Sequence, residues 1–214
     1  MNDRSHISVI LDRTGSMESI RADVVGGFNA FLAAQKDTPH PATLTLVQFD
    51  SQDPYEVLHA TADIASVPPL TLAQYVPRAS TPLYDAMGRG ILDLEAWLAK
   101  QTDALRPGKI IFVVVTDGQE NASREFDQTR VKRLVQAKKR LGWDFVFLSA
   151  DLAAFEDASS IGVDHEGRLL FDMSAKGNDR AWALASTKVS ERRAGTADKV
   201  VFNDMDRQSA AGQK

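Results

Sequence analysis

Apolar runs that stop abruptly at a polar turn recur along this chain and set its predicted architecture. The strongest, KIIFVVVTDG at residues 109–118, and the first, HISVIL at 6–11, read as strands buried on both faces of a sheet. After the first run, Ile20, Val24, Val25, Phe28, Phe31 and Leu32 recur at helical spacing, which predicts an amphipathic helix over 18–35. The prolines of TPHP (38–41) end it, since each disfavours helix at its own position and at the one before. Two further strand-like runs, ATLTLVQFD (42–50) and YEVLHATADI (55–64), are separated only by SQDP. So short a link cannot hold a crossover, and the pair is predicted to be an antiparallel hairpin.

A proline-punctuated loop, SVPPLTLAQYVPRAS, leads into STPLYDAMGRGILDLEAWLAKQ. This segment opens with hydroxyls, carries Pro82 in its first turn and puts Leu83, Met87, Ile91, Leu94, Trp97 and Leu98 on one helical face. Beyond the 109–118 run come a basic helix over 126–141, a strand at 143–150, a short helix, a weaker strand at 168–173 and a helix over 177–193. In the basic helix, Val131, Leu134, Val135 and Leu141 are expected to face inwards. The whole predicts a doubly wound α/β fold of Rossmann-like type. Its six-stranded sheet is mainly parallel, with one antiparallel edge strand and helices on both faces. Residues 1–195 are expected to form this domain, and 196–214, polar apart from VVF at 200–202, a C-terminal tail.

Composition narrows the function classes. A formal net charge of −4 over 214 residues argues against a nucleic-acid binder that works through a broad basic surface. The absence of cysteine excludes disulfides, thiolate metal sites and a cysteine nucleophile. The opening MNDRSH lacks the apolar core of a signal peptide, and no run reaches membrane-spanning length. A cytoplasmic location and no membrane partner are expected.

In an open parallel sheet, ligands bind at the carboxyl ends of the strands where the winding direction reverses, which in the order 3-2-1-4-5-6 lies between strands 1 and 4. Strand 1 here ends in Asp12-Arg13-Thr14-Gly15-Ser16 and strand 4 in Thr116-Asp117-Gly118, while Ser80-Thr81-Pro82 opens the helix between them. Taken singly, Thr14, Ser16 or Thr81 is an ordinary helix cap and Asp117-Gly118 a common turn. Together, Asp12, Thr14, Ser16, Thr81 and Asp117 form an all-oxygen set without histidine, suited to Mg²⁺ (or Mn²⁺ or Ca²⁺) rather than zinc. Glu120 and Asn121 are candidates to orient Asp117 or a water. The histidines, at 6, 40, 59 and 165, fall at no metal or triad spacing.

The segments LDRTGSM, STPLYDAM and VVVTDGQEN resemble the three metal-site loops of the von Willebrand factor type A (vWA) domain. The similarity runs over roughly residues 5–195, and FVFLSADLAAFEDASSIGV looks like the small intracellular bacterial and phage members. Thr14 stands where the family usually has serine; it keeps the hydroxyl and adds a methyl. The resemblance implies a metal-ion-dependent adhesion site (MIDAS), with Asp12, Thr14 and Ser16 from the first loop, Thr81 from the second and Asp117 from the third. It implies hydroxyls bound directly to the ion and aspartates acting largely through water. The cation stays electrophilic and captures an Asp or Glu carboxylate of a partner protein, without catalysis. The rival reading is a Mg²⁺-dependent phosphatase of haloacid-dehalogenase type with Asp12 as nucleophile. Such an enzyme needs a second aspartate two residues on as general acid, where this chain has Thr14.

Overall fold

The first strand, β1 (Ser5–Asp12), is buried at every position because it lies between two parallel neighbours with both faces covered. The computed structural model describes residues 3–212. Its other strands are β2 (Ala42–Phe49), β3 (Glu56–Asp63), β4 (Lys109–Thr116), β5 (Trp143–Ser149) and β6 (Arg168–Leu170). They form one sheet in the order β3-β2-β1-β4-β5-β6, with β3 the antiparallel edge, as the short SQDP link requires. The helices are α1 (Arg21–Asp37), α2 (Leu83–Ala99), α3 (Gln128–Arg140), α4 (Leu152–Ser160), α5 (Ala175–Ala194) and α6 (Asp204–Ala210).

Alternation along the central strands divides the core in two. Ile7, Val9 and Leu11 of β1 and Ile111, Val113 and Val115 of β4 pack on α1 and α5, while Ile10, Phe112 and Val114 pack on α2 and α3. Each such apolar side chain contributes about 1.5–3 kcal/mol on burial. On the first face Trp182 of α5 lies against Phe28 and Phe31, with ring centroids 6.1 and 5.6 Å away. Gly27 makes room for it, since a Cβ there would fall 2.1 Å from Trp182 Cδ1. On the second face the buried His6 ring bonds Thr43 Oγ1 at 2.8 Å and Ser8 Oγ at 3.0 Å, and burial pushes its imidazole down to about 3.

Three details depart from the sequence pattern. The turn after β1 is a 3-10 segment, Gly15–Ile20, and α1 starts only at Arg21. Leu141 is 71% exposed rather than inward, because α3 ends at Arg140 and Gly142 turns away with φ 84°. The stretch expected as a polar tail returns to the fold: Val200, Phe202 and Ala210 are buried in the α1–α5 core. There α6 is held by an Asn203–Asp206 capping box, and Arg207 donates to the carbonyls of Arg168, His165 and Phe202. Three apolar positions are too few to show a period, which is why the pattern reads as solvated chain. Residues 1–2 of the expected domain and 213–214 of the expected tail lie outside the described residues.

Candidate metal centre

The sequence-derived site residues meet at the carboxyl edge of the sheet, where β1 and β4 lie side by side. Asp12 ends β1 with its side chain fully buried. Its Oδ1 accepts the Thr14 backbone N–H at 2.7 Å and its Oδ2 the Thr116 hydroxyl at 2.5 Å. Burial raises this carboxyl to about 7, against the hydrogen bonds from Thr116 and Thr14. Neutral and ionised forms are therefore close in energy, and an adjacent cation would favour the carboxylate.

The Thr14 and Ser16 hydroxyl oxygens lie 3.2 Å apart, and Ser16 donates to Asp117 Oδ1 at 2.6 Å. The other oxygen of that carboxylate, Asp117 Oδ2, is buried and has no hydrogen-bond partner among the described residues. Thr81 closes the group from the second loop. A Cβ on Gly118 would lie 3.3 Å from Thr81 Oγ1 and 3.6 Å from Ser16 Oγ, so glycine keeps open the space these hydroxyls flank. All five residues are thus brought to one place. Among the described residues no three His, Cys, Asp or Glu side chains are placed to hold a metal.

Backbone ties fix the loops to one another. Gly15 N–H donates to Ala79 O at 3.1 Å, Arg78 N–H to Arg13 O at 2.9 Å, and the Tyr75 hydroxyl to Asp12 O at 2.5 Å. The second and third loops exchange bonds through Thr81 and Asn121: Thr81 N–H to Asn121 Oδ1 at 2.9 Å, and Asn121 N–H to Thr81 O at 3.0 Å. Glu120 takes the N–H groups of Tyr84, Ala122 and Ser123. Glu120 and Asn121 therefore bind the loop to Thr81 and the start of α2, and among the described residues neither hydrogen-bonds Asp117, one of the two roles, with holding a water, that the sequence offered. Asp85 completes this clasp by accepting the N–H groups of Arg124, Glu125 and Phe126 at 2.8, 2.9 and 2.9 Å. Sequence reasoning missed Asp85, whose place in the first turn of a helix looks like ordinary capping. It also missed Thr116, whose only signal is a hydroxyl just before the polar turn.

Two basic features point elsewhere. Arg13 is buried and donates to Asp50 Oδ2 through Nε at 2.8 Å and to Glu56 through Nη1, away from the donor set. In α3, Lys138 pairs with Glu95 and Lys139 with Asp164, so part of its charge serves the fold.

No protein-family model and no curated protein matches the sequence. Solved structures do. A vWA protein from Catenulispora acidiphila aligns with 90% of this chain at TM-score 0.57 and 12% identity. The chain has the vWA fold. The pilus adhesin SpaC of Lactobacillus rhamnosus GG aligns with 88% of the chain at TM-score 0.66 and 14% identity. A proximal thread matrix protein of the mussel byssus, described with a zinc-occupied MIDAS motif, covers 86% at TM-score 0.52 and 15% identity. The chain spans only 43%, 30% and 46% of these three structures, in that order. Among the described residues no helix is long and apolar enough to cross a membrane.

Proposed function

We propose that this vWA domain is a divalent-metal-dependent protein-binding module that captures an acidic side chain of a partner. The observation that carries the reading is the buried, unpartnered Asp117 Oδ2 beside the Ser16 hydroxyl and next to the open space over Gly118. An unpaired buried carboxylate oxygen is costly, and a cation supplies the missing partner. Thr14, Ser16 and Thr81 would hold the ion through neutral oxygens, with Asp12 and Asp117 behind them. The oxygen-only set favours Mg²⁺, with Mn²⁺ or Ca²⁺ as substitutes. The zinc-occupied MIDAS motif of the mussel protein supports a divalent ion in a domain of this fold.

Bound there, the ion supplies a positive centre that attracts an external carboxylate in a partly dry site. The chain's own residues hold that position rigid and keep water from the Asp12 side. Two features argue against phosphoryl transfer: Thr14 cannot act as a general acid near neutral pH, and Arg13 is engaged with Asp50 and Glu56. Calorimetric titration with Mg²⁺ and Mn²⁺ should give one site in the wild type and none in Asp12→Ala. A pull-down from cell extract should retain its partner with Mg²⁺ and lose it with chelator. Equal metal binding by both proteins would refute the site, and turnover of an aryl phosphate abolished by Asp12→Asn would refute the function.

A further inference from the structure

The end of β5 repeats the turn that ends β4. Thr116 Oγ1, whose proton goes to Asp12 Oδ2, accepts the Gly118 N–H at 3.1 Å and lies 3.1 Å from Gly118 O, while Ser149 Oγ donates to Asp151 O at 3.0 Å and accepts its N–H at 3.1 Å. Thr116 and Ser149 are register partners on adjacent parallel strands, which lie about 4.8 Å apart. The β5 turn therefore runs alongside the β4 turn, with Asp151 two residues past Ser149 as Gly118, which keeps the donor space open, is two past Thr116. Asp151 caps α4 with one oxygen, Oδ1 accepting the Ala154 N–H at 2.7 Å, and its Oδ2 makes no hydrogen bond among the described residues.

We infer that Asp151 is a third carboxylate of the metal centre, acting from outside the donor set, which strengthens the hold on the cation and weakens the cation's pull on an external carboxylate. The inference rests on the metal reading above. Asp12 and Asp117 match the charge of a divalent ion. A third carboxylate leaves the loaded site with a surplus negative charge, which an incoming acidic side chain must overcome. Asp151 thus trades partner affinity for metal affinity, and its removal moves the two in opposite directions.

The test is Asp151→Asn, because asparagine caps a helix as well as aspartate and removes only the charge. Glu156→Gln, an exposed acid on the same helix, is the control for net charge. Free Mn²⁺ is followed by electron paramagnetic resonance, and acetate is the carboxylate probe, read from the water relaxation of the Mn²⁺-loaded protein. The Mn²⁺ Kd of Asp151→Asn should rise about tenfold, the low end of the roughly 10–100-fold typical of groups behind metal ligands. Acetate should bind the loaded variant several-fold more tightly, and Glu156→Gln should match the wild type in both. Unchanged Mn²⁺ affinity in Asp151→Asn, an unchanged acetate response, or an equal effect of Glu156→Gln would overturn this inference alone. Absence of Mn²⁺ binding by the wild type would overturn the metal reading and this inference with it.

Discussion

Removing the Asp85 carboxylate should loosen the third loop and the metal centre together. Asp85 is buried in the first turn of α2 and accepts three consecutive backbone N–H groups, those of Arg124, Glu125 and Phe126. In Asp85→Ala the Phe126 N–H is left buried and unpaired, at a cost of about 1–3 kcal/mol. The other two donors are part-buried and water can reach them, so each loses only the net worth of its bond, about 1 kcal/mol. Loss of an acid at a helix start adds about 0.5 kcal/mol. The expected total is about 3.5–5.5 kcal/mol, or a fall in Tm of roughly 7–22 °C for a domain of this size. Asp85→Asn, which keeps one acceptor oxygen, should lose about half as much. Urea unfolding followed by circular dichroism measures the stability, and Mn²⁺ titration well below the new Tm measures the site. A Tm shift under about 2 °C in Asp85→Ala would refute the clasp. A destabilised variant with wild-type Mn²⁺ affinity would show that the clasp holds the fold and not the site.

Gly118→Ala should fold normally yet lose most Mn²⁺ affinity, because its methyl would stand 3.3 Å from Thr81 Oγ1 and 3.6 Å from Ser16 Oγ; full binding in calorimetry would contradict that geometry. Gly27→Ala should be destabilised despite alanine's better helix propensity. Displacing Trp182 costs about 1–3 kcal/mol, against about 1 kcal/mol gained, and a more stable variant in urea would show that the indole gives way freely. His6 should make stability fall in acid. The unfolded imidazole takes a proton below about 6.5, the native one only near about 3, so stability is level above that window and drops through it as pH falls. The slope is at most about 1.4 kcal/mol per pH unit, and His6→Gln should remove it; parallel urea midpoints for the two proteins from pH 7 to pH 4 would mean that His6 titrates normally.

Most of the sheet could be read in the sequence, because β1, β4 and β5 are buried on both faces and spell that burial as continuous apolar residues. The β2–β3 hairpin followed from the length of one link. The convergence of Asp12, Thr14, Ser16, Thr81 and Asp117 was equally legible, since three separate strand or helix boundaries each end in oxygen-bearing side chains. The ties behind the donors were not. Asp85, Thr116 and Asn121 act through contacts to residues 39–41, 104 and 40 positions away, and nothing local distinguishes them from caps and turns. The same limit hid α6, whose place depends on Glu166 offering its carbonyl to Phe202 N–H at 2.8 Å.

Because Gly15 is tied to Ala79, Arg13 to Arg78 and Thr81 to Asn121, the metal-site loops are assembled by the fold itself. The entropy of gathering the oxygens is spent during folding, not on encounter with the ion. Such preorganisation separates this domain from small zinc modules, where metal and folding arrive together. Metal should instead act here as a stabilising ligand on a finished scaffold. By mass action it adds about 2.7 kcal/mol at a hundredfold excess over Kd. On the metal reading proposed above, the apo and loaded domains share one backbone, and cation levels set partner binding without threatening the integrity of the fold.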